Sequence, residues 1–233
     1  MKTKFILSIC FGGLWLAVSL FFAIGWAQEV SYILPGIYVW FVLCGIALLP
    51  GFLMSAMFFS NLLHWKLKKY PDTWEDTTII MCAHNEEKTI AKSIQAITDQ
   101  QYKGHIRLIV VDNASTDYTK QEVIKLQASA FRNRSVEYVY CGKAGKAHAL
   151  NKGLSRVFTR HFITVDSDTF LEKRAVQKIM NHIVACKSAC VAGNLFVKNP
   201  KASIAAKMQN YDYLLSIAAV KRFQGSYRST LVA

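Results

Sequence analysis

The stretch HFITVDSDTF, His161 to Phe170, runs through apolar and β-branched residues into two aspartates one residue apart. Carboxylates at i and i+2 on a loop leaving a strand can both face one hard cation, whose other positions take phosphate oxygens and water. Such a cation neutralises the charge that builds on a departing phosphate group. The same residues also suit a turn, with Asp168 or Thr169 capping a following helix. Other polar clusters stand after apolar runs: His84-Asn85-Glu86, Asp112-Asn113, and the stretch from Gly142 to Lys146. Asp112 suits hydrogen bonds from a nucleobase or ribose, or else an Asx turn with Ser115 as helix cap. Asp117 sits where a helix dipole favours a carboxylate and reads as structural. Gly142, Lys143, Gly145 and Lys146 precede a helical run and suit an anion, or are a solvated lysine pair. They match neither G-x-x-x-x-G-K-[ST] nor G-x-G-x-x-G. His182, Cys186 and Cys190 share a helical face but lack a fourth zinc ligand, so they read as core packing.

The elements that must carry these clusters alternate. TTIIMCA, HIRLIVVDN, VEYVYC and HFITVD read as strands, and CVAGNLFV (190–197) as a fifth. Helical runs fall between them: about Glu86 to Thr98, Ser115 to Ala130 with Ser115 or Thr116 as cap, Lys146 to Phe158, and about Lys173 to Cys186. Strands alternating with helices imply an α/β fold, a mainly parallel sheet with helices on both faces. Ligands of such sheets bind outside the carboxyl ends of the strands, which is where the polar clusters sit. Carboxylates gathered there repel one another unless cationic groups or a metal neutralise them.

Across 233 residues the chain carries a formal charge of +13 and 52% hydrophobic residues, a pairing that suggests a membrane part joined to a polar part. Phe5 to Ala27 is uncharged and, as a helix, roughly 34 Å long, enough to cross the hydrocarbon core. A second uncharged run, Val30 to Leu63, contains Pro35 and Pro50, which mark bends or ends. The expected organisation is a membrane hairpin over 1–63 with spans near 5–27 and 38–60, a linker over 64–76, and a cytoplasmic domain over 77–233. A cleaved signal peptide ending near Gly25-Trp26-Ala27 is the alternative for the first span. Lys2 and Lys4 before the hairpin and Lys66, Lys68 and Lys69 after it place both flanks in the cytoplasm. The six cysteines show no disulfide framework, in keeping with a reducing compartment. The basic excess suits membrane lipid or a phosphorylated substrate. No nucleic-acid motif appears, and no nucleic-acid partner is expected. SIAAKMQNYDYLLSIAAVKRF reads as an amphipathic helix, lying on a membrane or covering the sheet.

Taken in order, AHNEEKTI, IVVDNASTD, GKAGKAHALNKGL, VDSDT and VAGNLFVKNP resemble the motifs of processive family 2 glycosyltransferases of the poly-N-acetylglucosamine and hyaluronan synthase kind. The resemblance covers roughly Thr77 to Arg222. It implies a GT-A fold, a UDP-sugar donor, a polysaccharide or lipid acceptor, and Mg²⁺ or Mn²⁺ as cofactor. By the same resemblance Ala83, His84, Asn85, Glu86 and Asp112 bind the nucleoside. Lys146 lies near the diphosphate, and Asp166 and Asp168 hold the metal. Asn113 stands where the family often has a second aspartate. The family's later TED-like motif, which supplies the general base, and its QxxRW have no counterpart here. The resemblance therefore implies the donor half of an inverting, membrane-anchored enzyme, C-terminally truncated, with no catalytic base identified. Rival expectations are a non-catalytic donor-binding protein, a chain completed by a partner membrane protein, and a polyprenyl-phosphate glycosyltransferase.

Overall fold

In the computed structural model, which describes residues 2–63, 69–128 and 133–226, the β-branched runs become four strands. They are β1 (Thr77–Ala83), β2 (Ile106–Asp112), β3 (Arg134–Tyr140) and β4 (His161–Asp166). All pair in parallel in the order β3-β2-β1-β4, so their carboxyl ends share one edge. Helix α4 (Ile90–Thr98) follows β1, α5 (Thr119–Gln127) follows β2, α6 (Lys146–Leu154) follows β3, and α7 (Ala175–Cys186) follows β4.

The strand period of two sorts the apolar residues onto both faces. Ile79, Met81, Leu108 and Val110 pack with Ile90, Ile94 and Ile97 of α4, Val123 of α5, and Val176 and Met180 of α7. Ile80, Ile109 and Val111 point the other way, against Ala149 of α6. Burying each such side chain fully stabilises the fold by about 1.5–3 kcal/mol. Gly153 lets α6 approach closely: a Cβ there would lie 2.6 Å from Ile80 Cγ2 and 3.1 Å from Val111 Cγ2.

Compactness divides the chain into two units, Tyr70–Val191 and a second made of Met1–Lys69 with Ala192–Ala233. In the second, α1 (Lys2–Val30) and a helix over Gly36–Leu63 are both long and apolar enough to span a membrane. The latter is built of α2 (Gly36–Val42), a π segment (Leu43–Leu48) and α3 (Leu49–Leu63). Pro35 is its N-cap. Pro50 does not end it, because the π segment just before absorbs the missing N–H and the ring's bulk. Lys4 Nζ donates to Leu63 O at 2.8 Å, bringing the outer ends of the hairpin together. Lys66 and Lys68 of the expected basic flank lie outside the described residues. α8 (Ile204–Tyr213), a π segment (Leu214–Lys221) and α9 (Arg222–Ser226) complete this unit, with Phe223 against Phe5.

Several sequence expectations are corrected. Residues 190–197 form no strand; they lack a ladder partner, and Leu195 and Phe196 stay exposed. α5 opens at Thr119 rather than beside Ser115 or Thr116, because both residues are engaged by Asn85 instead. Ser129 and Ala130, its expected end, fall outside the described residues. Asp168 and Thr169 cap nothing, since α7 begins at Ala175. Cys186 and Cys190 are exposed rather than core residues, and only His182 packs, edge-on to Tyr70.

Candidate functional site

The parallel register puts Asp112 beside Ala83 and Asp166 beside Cys82, so the ends of β2 and β4 flank the end of β1. The loops leaving β1 and β2 are tied to each other across this rim. Asn113 N donates to Ala83 O at 2.8 Å, and Asn85 N to Ser115 Oγ at 3.0 Å. Thr116 N returns a bond to Asn85 Oδ1 at 2.8 Å. Glu86 N donates to Thr119 Oγ1 at 2.8 Å, and Glu87 N to Asp117 Oδ2 at 3.1 Å. Asn85 and Ala114 sit at φ 55° and 56°; alanine rarely adopts the left-handed region, so the loops are over-determined by their bonds. Asp117 acts as the sequence suggests, as a structural acceptor. Burial opposes its ionisation, yet bonds from Thr119 and Glu87 hold its carboxyl below the usual range.

The residues expected to meet a nucleoside are placed unequally. Ala83 is buried at the strand end. His84 is exposed, with Nδ1 2.8 Å from Asn113 O. Glu86 uses its carboxylate to accept from the Thr89 hydroxyl. Asp112 is 2% exposed: Oδ1 accepts from Ser115 N at 2.9 Å and Oδ2 from the Tyr138 hydroxyl at 2.7 Å. Sequence reading missed Tyr138, whose only signal was its place two residues before the end of β3. Beside Asp112, Asn113 Oδ1 is buried and accepts no hydrogen bond among the described residues.

At the other side of β1, Asp166 and Asp168 emerge together while Ser167 between them turns inward and is buried. Asp166 Oδ1 accepts from Lys146 Nζ at 2.5 Å. Lys146 opens α6 directly after Gly145, whose φ of 120° a side chain would strain. The hydrogen bond to Asp166, and the charges of Asp166 and Asp168, hold the lysine's pKa above its ordinary value. Burial pushes the Cys82 thiol beneath them upward, so it stays protonated and uncharged.

Among the described residues no three His, Cys, Asp or Glu side chains gather as a metal cage. Asp166 and Asp168 instead supply hard, exposed oxygens on one side only. That set fits a hard divalent cation such as Mg²⁺ or Mn²⁺, which would need further oxygen ligands from outside the chain. A surface hollow lined by Asp72, Trp74, Tyr102 and Lys103 shares no residue with this rim.

Poly-beta-1,6-N-acetyl-D-glucosamine synthase of Staphylococcus aureus is 27% identical over 172 residues, 72% of this chain. The chain spans 40% of that relative's length. Among solved structures, a mannosyltransferase from Pyrobaculum calidifontis in complex with GDP-Man and Mn²⁺ is 24% identical, with TM-score 0.46, over 70% of this chain and 48% of its own. S. aureus TarS is 20% identical, with TM-score 0.44, over 53% and 24%. The family described as "Glycosyl transferase family 2" matches residues 78–230, two-thirds of the sequence, and the chain belongs to it.

Proposed function

We propose that this chain binds a UDP-sugar at the carboxyl rim of its sheet and serves transfer of the sugar, with inversion, to a growing polysaccharide. The observation that carries the reading is one rim of the sheet: Asp112 at the end of β2, Asp166 and Asp168 at the end of β4 on the other side of β1, and Lys146 of α6 bonded to Asp166. Residues 1–63 are its membrane anchor, and the part from Thr77 onward faces the cytoplasm. The S. aureus synthase names N-acetylglucosamine polymer as product, which makes UDP-N-acetylglucosamine the donor of first choice.

Each residue has a distinct task. The Asp112–Asn113 corner backs the rim where the nucleoside lies and fixes the exposed His84 beside it, whose Nδ1 is 2.8 Å from Asn113 O. The interlocked loops hold that corner rigid, so little ordering cost falls on binding. Asp166 and Asp168 would hold Mg²⁺ or Mn²⁺. A cation bound there supplies Lewis-acid neutralisation of the departing diphosphate. Lys146 and the first amides of α6 face the same phosphate oxygens. Calorimetric titration of UDP into the full chain in detergent, with and without Mn²⁺, tests the reading. Affinity should depend on Mn²⁺ and be lost in Asp166→Ala and Asp168→Ala; unchanged metal-dependent affinity in both variants refutes the assignment.

A further inference from the structure

Lys146 stands where a metal must arrive. Its Nζ lies 2.5 Å from Asp166 Oδ1, and the charge of Asp168 also acts on it. We propose that Lys146 is an exchangeable counter-cation: without donor it occupies Asp166 against the metal, and the donor's diphosphate draws it away, so that metal and nucleotide load cooperatively. The inference rests on the donor-site reading above and concerns the order in which that site fills.

Three features of the chain make the exchange workable. The lysine and aspartate side chains are 70% and 61% exposed, so the ion pair is weak and breaks readily. The base of Lys146 is fixed, because α6 is seated on the sheet through Ala149 and Gly153. Its four-carbon stem still lets the ammonium swing between partners as a point charge.

The energetics follow from charge. A divalent cation at Asp166 and Asp168 meets two obstacles in the free protein: one carboxylate oxygen is taken, and an ammonium stands beside the position. A diphosphate removes both, since its oxygens accept the lysine and add their own charge to the metal site. Metal and diphosphate must then raise each other's affinity by one common factor, as linkage requires.

Binding of Mn²⁺ to the full chain, read from the electron-spin-resonance signal of free aqueous Mn²⁺, tests this without reference to turnover. In the absence of nucleotide, Lys146→Gln should bind Mn²⁺ about threefold to tenfold more tightly than the parent, while Lys146→Arg resembles the parent. The factor by which UDP tightens Mn²⁺ binding should be smaller in Lys146→Gln. Equal or weaker Mn²⁺ binding by Lys146→Gln alone, or an undiminished UDP effect, overturns the exchange. Failure of every form to bind Mn²⁺ even with UDP instead overturns the donor-site reading, and this inference with it. Lys146 is exposed at a helix start, so Lys146→Gln should unfold at the parent's temperature, which keeps the comparison valid.

Discussion

Gly153→Ala sets two opposing effects against each other. Within a helix alanine is favoured over glycine by about 1 kcal/mol. The added Cβ, however, would stand 2.6 Å from Ile80 Cγ2, where carbon atoms prefer about 3.5–4.0 Å. Either α6 lifts by about 1 Å or Ile80 leaves its rotamer, and overpacking of this kind costs about 1–3 kcal/mol. At the upper end of that range the net loss is about 2 kcal/mol, or several degrees in the apparent unfolding temperature at this chain length. Because α6 carries Lys146, the same lift should weaken binding of UDP with Mn²⁺. Ile80→Leu moves the offending branch away from Cβ, so the double variant should recover part of the loss. The coupling between the two sites is expected within about 0.5–3 kcal/mol. Thermal unfolding followed by tryptophan fluorescence reads all four forms. A Gly153→Ala chain more stable than the parent by about 1 kcal/mol means that only the helix preference acts and that α6 does not rest on β1 as described.

Tyr138→Phe removes the hydroxyl that donates to Asp112 Oδ2 and leaves a buried carboxylate oxygen without that donor, a loss of about 1.5–3 kcal/mol. Unfolding at a lower temperature and weaker UDP binding are expected together; a variant matching the parent in both contradicts the bond. Burial, and then the Asp112 carboxylate, push the tyrosine's pKa upward, so its proton stays in place across the neutral range. Glu137 lies between Arg107 and Arg156, each at 2.6 Å. Burial works against its charge, but the two arginines bring its pKa below the ordinary 4.5. Its contribution, about 1 kcal/mol, is therefore full above the unfolded value and lost as pH falls through the folded one. Glu137→Gln should be less stable than the parent near neutrality and converge with it in acid; a gap that persists in acid refutes the sign.

The strands were legible because runs such as TTIIMCA and IRLIVV have few ways to hide their side chains except within a two-faced sheet. The rim was legible for a related reason: polar side chains at the ends of such runs either leave the core, as Asp166 and Asp168 do, or find partners within it, as Asp112 does in Ser115 and Tyr138. Helix starts were less so. Ser115 and Asn85 are good local caps by type, yet they bond each other's loops across 30 residues of sequence. The reading of 190–197 as a strand followed residue preference alone, and preference does not supply a neighbour to pair with. Gly153 was visible as a glycine inside a helical run, but its reason, the closeness of Ile80, lies in the fold. The pairing of Lys146 with Asp166 and of Tyr138 with Asp112 likewise joins residues that no local pattern connects.

Phosphorus hyperfine coupling to Mn²⁺ bound in the presence of UDP reports directly whether cation and diphosphate meet at this rim. The full chain should show ³¹P coupling of a directly coordinated phosphate, and the coupling should vanish when Asp166 and Asp168 are both changed to asparagine. Coupling absent from the parent, or unaltered in the doubly substituted chain, would place the metal elsewhere and contradict the account.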